Sequence, residues 1–125
     1  MHNNNSILII EDNLKNMKLL RDILQVNGFN VLEAYNGKDG VKCAKNKIPS
    51  LVLLDWQLPE MGGGEVIVEL KRDPNTANIP VIVVSALAMP DSVDYIRQSG
   101  CDDYITKPIN VPIFLDVVKK HLLIE

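Results

Sequence analysis

Four short runs, each ending in polar residues, constrain this chain most. Ile7-Leu8-Ile9-Ile10 leads into Glu11-Asp12, Leu51-Val52-Leu53-Leu54 into Asp55, and Val81-Ile82-Val83-Val84 into Ser85-Ala86. The fourth, Asp103-Tyr104-Ile105-Thr106, ends at Lys107-Pro108. The first three are nearly unbroken apolar segments, as strands covered on both faces should be. Stretches of helical period separate them, and that alternation points to a parallel sheet with crossover helices.

The intervening segments carry their own start and stop signals. Asn13 can cap a first helix with apolar positions Leu14, Met17, Leu20 and Leu24, stopped by Asn27-Gly28. Phe29 to Glu33 reads as a second strand in which Phe29, Val31 and Glu33 alternate with their neighbours. Asn36-Gly37 turns the chain into a helix from about Lys38 to Asn46, whose Lys38, Lys42 and Lys45 share one solvated face. Pro49-Ser50 precedes the third strand. A third helix from about Glu65 to Arg72 buries Val66, Ile67 and Leu70 and closes at Asp73-Pro74.

Ile79-Pro80 leads into the fourth strand, and Pro90 suits the first turn of a helix reaching about Ser99, with Gly100 as its cap. That helix is polar (Asp91, Ser92, Asp94, Arg97, Gln98) and is expected to be loosely held. Asn110 caps a fifth helix, with Pro112 in its first turn and Phe114, Val117, Val118 and Leu122 facing inward. Five strands alternating with five helices, with right-handed crossovers between the strands, suggest an α/β fold of the flavodoxin-like, doubly wound (βα)5 type. Its common strand order is 2-1-3-4-5, with a ligand crevice where strands one and three separate. Asp12 and Asp55 end those two strands, so this order sets them side by side.

A chain of 125 residues suits one domain, and 46% hydrophobic with 23% charged residues is ordinary for a globular protein. The net charge of −3 argues against a nucleic-acid surface. No apolar stretch approaches the ~18 residues that cross a bilayer. Met1-His2-Asn3-Asn4-Asn5 lacks the design of a signal peptide and reads as a flexible tail ahead of a domain over 6–125. Cys43 and Cys101 stand in no metal-ligand spacing, which fits a reduced cytoplasmic setting and small buried or half-buried side chains.

The strand ends define a candidate site. Clustered carboxylates such as Glu11, Asp12 and Asp55 repel one another unless a cation joins them. A hard, oxygen-seeking ion such as Mg²⁺ (or Mn²⁺) answers that need, and Lys107 adds a further positive charge. With its charge neutralised, a carboxylate can attack phosphorus as a nucleophile, in a reaction that needs mainly positioning and charge stabilisation. In this reading Asp55 attacks, Asp12 ligates the metal, and Glu11 does so directly or through water. Lys107 meets the phosphoryl oxygens and Ser85 donates a hydrogen bond to them. Each residue alone has a plainer explanation as a turn cap, a strand-end hydroxyl or a surface lysine. The force lies in all of them occurring in order at successive strand ends.

Glu11-Asp12-Asn13, Leu54-Asp55 with Leu58-Pro59-Glu60-Met61, Ser85-Ala86, and Tyr104 with Thr106-Lys107-Pro108 together resemble the receiver domain of two-component response regulators. The resemblance runs from Ser6 to about Leu123. Asn16-Met17-Lys18-Leu19, Gln57-Leu58-Pro59-Glu60, Ala88-Met89 and Gly100-Cys101 are further similar to single-domain cell-division-control regulators of the DivK type. Receivers fused to hybrid kinases carry much the same residues. The resemblance implies a phosphorelay role, with Asp55 phosphorylated by a histidine kinase or histidine phosphotransfer protein, and a downstream effector protein as the reader. It also implies that the Gln57 carbonyl joins the metal site, that Ser85 and Tyr104 form a switch pair, and that Lys107-Pro108 matches the position of a cis peptide. Two departures stand out: a Gly62-Gly63-Gly64 run expected to loosen the loop beside the metal, and the bulk of Trp56 directly after Asp55.

Other classes fit less well. A flavin carrier wants a Ser-, Thr- and Gly-rich loop after strand one, where acids stand here. A haloacid-dehalogenase-type phosphatase wants two Asp one residue apart, and only Asp12 lies there. An interaction module that never takes phosphate has no use for the full acidic site with Lys107. The expectation is a phospho-accepting regulator, not a conventional enzyme, acting alone through protein contacts as a monomer or weak dimer. A receiver excised from a hybrid kinase is the alternative.

Overall fold

The structure, a computed structural model, describes residues 6–86 and 90–122, and for 90–93 the backbone alone. The expected tail at Met1 to Asn5, the Ala88-Met89 pair, the side chains of Asp91 and Ser92, and the chain end from Leu123 lie outside the described residues. Elements alternate strictly: β1 (Ser6–Ile10), α1 (Leu14–Val26), β2 (Asn30–Ala34), α2 (Gly37–Lys47), β3 (Leu51–Asp55), α3 (Gly63–Arg72), β4 (Val81–Ser85), α4 (Pro90–Gln98), β5 (Asp103–Thr106) and α5 (Val111–Leu122). The strands form one parallel sheet in the order β2-β1-β3-β4-β5, the flavodoxin-like (βα)5 arrangement expected from the sequence.

Because side chains alternate across a strand, the same apolar runs feed two cores. Leu8, Ile10, Val52, Leu54, Val81 and Val83 face one, covered by Val41 and Ala44 of α2, Val66, Ile67 and Leu70 of α3, and Ile96 of α4. Ile7, Ile9, Leu51, Leu53, Ile82 and Val84 face the other, covered by Met17, Leu20 and Leu24 of α1 and by Phe114 and Val118 of α5. Every residue of β1, β3 and β4 is buried, which explains why these segments lack the alternation of a one-sided strand.

The capping signals act as their chemistry suggests. The side chains of Asn13, Asn36 and Asn110 accept from the backbone N–H groups of Asn16, Asp39 and Ile113 at 3.0, 2.8 and 3.0 Å. Gly28 and Gly100 follow α1 and α4 at φ 89° and 98°, a left-handed conformation open to glycine. Two expectations shift. Leu14 is 71% exposed, because as the first residue of α1 it projects past the sheet rim where nothing covers it. The second strand begins at Asn30, and Phe29 packs against the α1 side as the residue entering it. Lys38, Lys42 and Lys45 are all exposed. Among the described side chains of α4, Ile96 alone is buried. No helix among the described residues is long and apolar enough to cross a membrane.

Candidate phosphoacceptor and metal site

The C-terminal ends of β1, β3, β4 and β5 meet at one rim. β1 and β3 are hydrogen-bonded neighbours in register through Ile10 and Leu54, so the residues that follow them leave the sheet together. The Glu11 N–H donates to the Ala34 carbonyl at 3.0 Å, which holds the β1 exit against the end of β2. A carboxylate oxygen from each of Glu11, Asp12 and Asp55 lies within 4.8 Å of the others. Glu11 and Asp55 are buried, while Asp12 is exposed.

Each buried acid is held by a backbone donor. The Asn13 N–H donates to Glu11 Oε2 at 3.1 Å, and the Gln57 N–H to Asp55 Oδ1 at 3.1 Å. The Lys107 ammonium bridges the pair, 3.1 Å from Glu11 Oε1 and 3.8 Å from Asp55 Oδ1. Lys107 is carried there by β5: its N–H donates to the Ser85 carbonyl at 2.8 Å, and the Lys107–Pro108 peptide is cis. Ser85 ends β4, buried, in register with Thr106.

One ammonium does not balance three carboxylates. Burial holds the Glu11 carboxyl above its usual range, and the Asp55 charge pushes the same way. The Asn13 N–H and Lys107 pull it back. The donor set consists of hard oxygens, the type that suits Mg²⁺. Oxygens ~2.1 Å from a shared ion lie no more than ~4.2 Å apart. A spread within 4.8 Å therefore needs only small side-chain movements or an intervening water. The cluster is capable of holding a divalent metal.

Tyr104 lies one strand further out. It is half-buried, its hydroxyl accepts from Arg97 Nη2 at 3.3 Å, and the guanidinium sits 5.5 Å from the ring centroid. Arg97, Tyr104, Thr106, Asn110 and Ile113 border an open groove of about 470 Å³ between α4, β5 and α5. A smaller hollow of about 120 Å³, lined by Asn16, Leu19, Pro108 and Ile109, opens beside Lys107. Sequence reasoning treated Asn13 as a helix cap and missed its backbone hold on Glu11. It also missed the Arg97–Tyr104 contact, since a spacing of seven across a helix, a turn and a strand carries no periodic signal.

Comparison with known proteins agrees with this geometry. The profile of the response regulator receiver domain family matches residues 7–119. The chain is 44% identical over 117 residues to the polar-differentiation response regulator DivK of Brucella anthropi, covering 94% of this chain and 95% of that protein. The signal receiver domain of a signal transduction histidine kinase from Syntrophus aciditrophicus superposes with a TM-score of 0.87 at 33% identity, over 94% of this chain and 89% of that one. The receiver domain of a sensor histidine kinase from Pseudomonas aeruginosa, solved with a magnesium ion coordinated in its active-site cleft, gives a TM-score of 0.88 at 25% identity, over 94% and 96% of the two chains. With acids from the first and third strands and a lysine after the fifth meeting at one rim, and with both sequence and fold matched along nearly its whole length, the chain belongs to the response regulator receiver family of two-component signalling.

Proposed function

We propose that Asp55 accepts a phosphoryl group from a histidine kinase or histidine phosphotransfer protein, and that the modified domain changes its contacts with a downstream effector protein. The observation that carries this reading is the Lys107 ammonium set between Glu11 and Asp55 beside the acidic cluster. An Asp55 carboxylate oxygen attacks phosphorus, the donor's phosphorus–nitrogen bond breaks, and the imidazole leaves with its electron pair. Hydrolysis of the resulting acyl phosphate returns Asp55 and inorganic phosphate.

Mg²⁺ or Mn²⁺ would be held by Glu11, Asp12, Asp55 and the Gln57 carbonyl, and when bound would supply positive charge that offsets the clustered carboxylates and the incoming phosphoryl group. Lys107 pairs with a phosphoryl oxygen as a point charge once its hold on Asp55 is broken. The Ser85 hydroxyl donates to another. The buried setting of Asp55 keeps bulk water from competing for these contacts.

Phosphorylation exchanges a single negative charge for about two, with strong acceptor oxygens. Movement of Ser85 toward them frees space into which Tyr104 turns, releasing Arg97 and reshaping the groove between α4, β5 and α5. Unchanged amide exchange over residues 94–110 after phosphorylation would rule this switch out. The similarity to DivK along 95% of that regulator's length supports a role like that of this response regulator, and the kinase receiver structures support a role within a kinase as the second reading.

The test is incubation with a small acyl phosphate donor, with Mg²⁺ or with a chelator, followed by intact mass. The expected result is gain of a single alkali-labile phosphoryl group only with Mg²⁺, absent in Asp55→Asn. Uptake by Asp55→Asn contradicts the assignment.

A further inference from the structure

We propose that Trp56 is a positioning residue for the metal site, seated on Gly63 and Gly64 so as to fix the loop that carries Gln57. This rests on the reading of Glu11, Asp12 and Asp55 as a cation site. The bulky residue after Asp55 and the glycines at the start of α3 are one packing unit. A Cβ at Gly63 would stand 3.0 Å from Trp56 Cα, 3.0 Å from its Cε3 and 3.2 Å from its carbonyl oxygen. A Cβ at Gly64 would reach ordinary contact, 3.4 Å, with Cη2 at the far end of the indole. The ring therefore spans the first two residues of α3, with its backbone pressed on Gly63.

Both ends of the loop converge on this residue. The Trp56 N–H donates to the Val84 carbonyl at 3.2 Å, tying the loop's start to β4. The Gly63 N–H donates to the Trp56 carbonyl at 3.1 Å, closing residues 57–62 into a ring of chain. The far side is wedged as well: a Cβ at Gly37, the first residue of α2, would stand 2.8 Å from the Met61 carbonyl oxygen. The loop thus has α2 as one stop and Trp56 as the other. Gln57 leaves directly from the Trp56 stop, with its N–H already on Asp55 Oδ1. Glycines at 62–64 leave this segment much backbone freedom, which a fixed indole removes. A metal ligand supplied by a backbone carbonyl depends on such support, because hard-ion sites tolerate little displacement.

If Trp56 only fills space, shortening it lowers stability and leaves metal affinity alone. The deciding experiment is calorimetric titration of Mg²⁺ into wild type, Trp56→Leu, Trp56→Phe and Gly63→Ala, with amide exchange followed at 57–62 and 51–55. Trp56→Leu is expected to weaken Mg²⁺ binding about 10-fold, the usual scale for loss of a supporting contact around a metal. Exchange at 57–62 accelerates in that variant while 51–55 stays protected. Trp56→Phe restores most of the affinity. Gly63→Ala, which keeps the indole but displaces it, weakens binding as Trp56→Leu does, and decides the matter alone if the leucine variant does not fold. A wild type that binds Mg²⁺ with no loss in Trp56→Leu or Gly63→Ala overturns this proposal alone. A wild type that binds no Mg²⁺ overturns the metal reading and this proposal with it.

Discussion

Glu11 carries the electrostatic tension of the metal-free site. Its side chain is 1% exposed, and its charge is answered by one backbone N–H and an ammonium shared with Asp55. Burial raises its carboxyl above the usual value. A raised folded-state pKa means that its stabilising share is complete below the unfolded value of about 4.3 and is lost as pH rises through the folded value. The urea midpoint of the metal-free wild type, taken relative to Glu11→Gln, is therefore expected to fall with rising pH across that window. Excess Mg²⁺ should flatten the difference.

Removing one charge from the cluster acts in the same sense. Asp55→Asn keeps an oxygen for the Gln57 N–H and relieves repulsion with Glu11 and Asp12. The metal-free variant is expected to be more stable than wild type by on the order of 1 kcal/mol, the scale of a single charge–charge contact near a protein surface. It should also gain less from saturating Mg²⁺, and denaturant melts with and without the ion measure both effects. At this scale the sequence is informative about which polar groups gather at the rim, because strand-end positions are readable. It was silent on Arg97, whose contact with Tyr104 exists only once α4 is laid beside β5.

Elements were legible wherever a local signal suffices. Asparagine caps and glycine stops set the helix starts and ends because they act through bonds to near neighbours. Leu14 misled because a helical wheel shows which way a residue points and not whether anything stands there. Close approaches were invisible for the same reason. A Cβ at Gly40 of α2 would fall 2.4 Å from Cδ1 and 2.7 Å from Cγ1 of Ile10, the last residue of β1. Alanine would improve helix propensity by about 1 kcal/mol, but overpacking a full core costs about 1–3 kcal/mol, and an overlap this deep belongs at the upper end. Gly40→Ala is thus expected to lower stability by about 1–2 kcal/mol, by these opposed terms. Ile10→Val, which deletes the nearest atom, should recover part of that loss in the double variant; strict additivity in chemical denaturation would count against this packing.

Across the whole molecule, right-handed crossovers and two-sided burial leave few arrangements for five such strands. The order β2-β1-β3-β4-β5 brings the β1 and β3 exits together, so residues far apart in sequence become one site without any local signal for it. The same order sets β5 beside β4, which lets Lys107 reach across to Glu11 and Asp55 while Tyr104 faces the α4 side. The acidic cluster and the groove between α4, β5 and α5 are thereby linked through a single short strand. Borohydride reduction of the protein after treatment with an acyl phosphate donor, followed by peptide mass mapping, locates the acceptor, because reduction turns an aspartyl phosphate into homoserine. Homoserine at position 55 in the presence of Mg²⁺, and none after chelation, is the expected result. Homoserine at another carboxylate, or equal conversion without the ion, would contradict it.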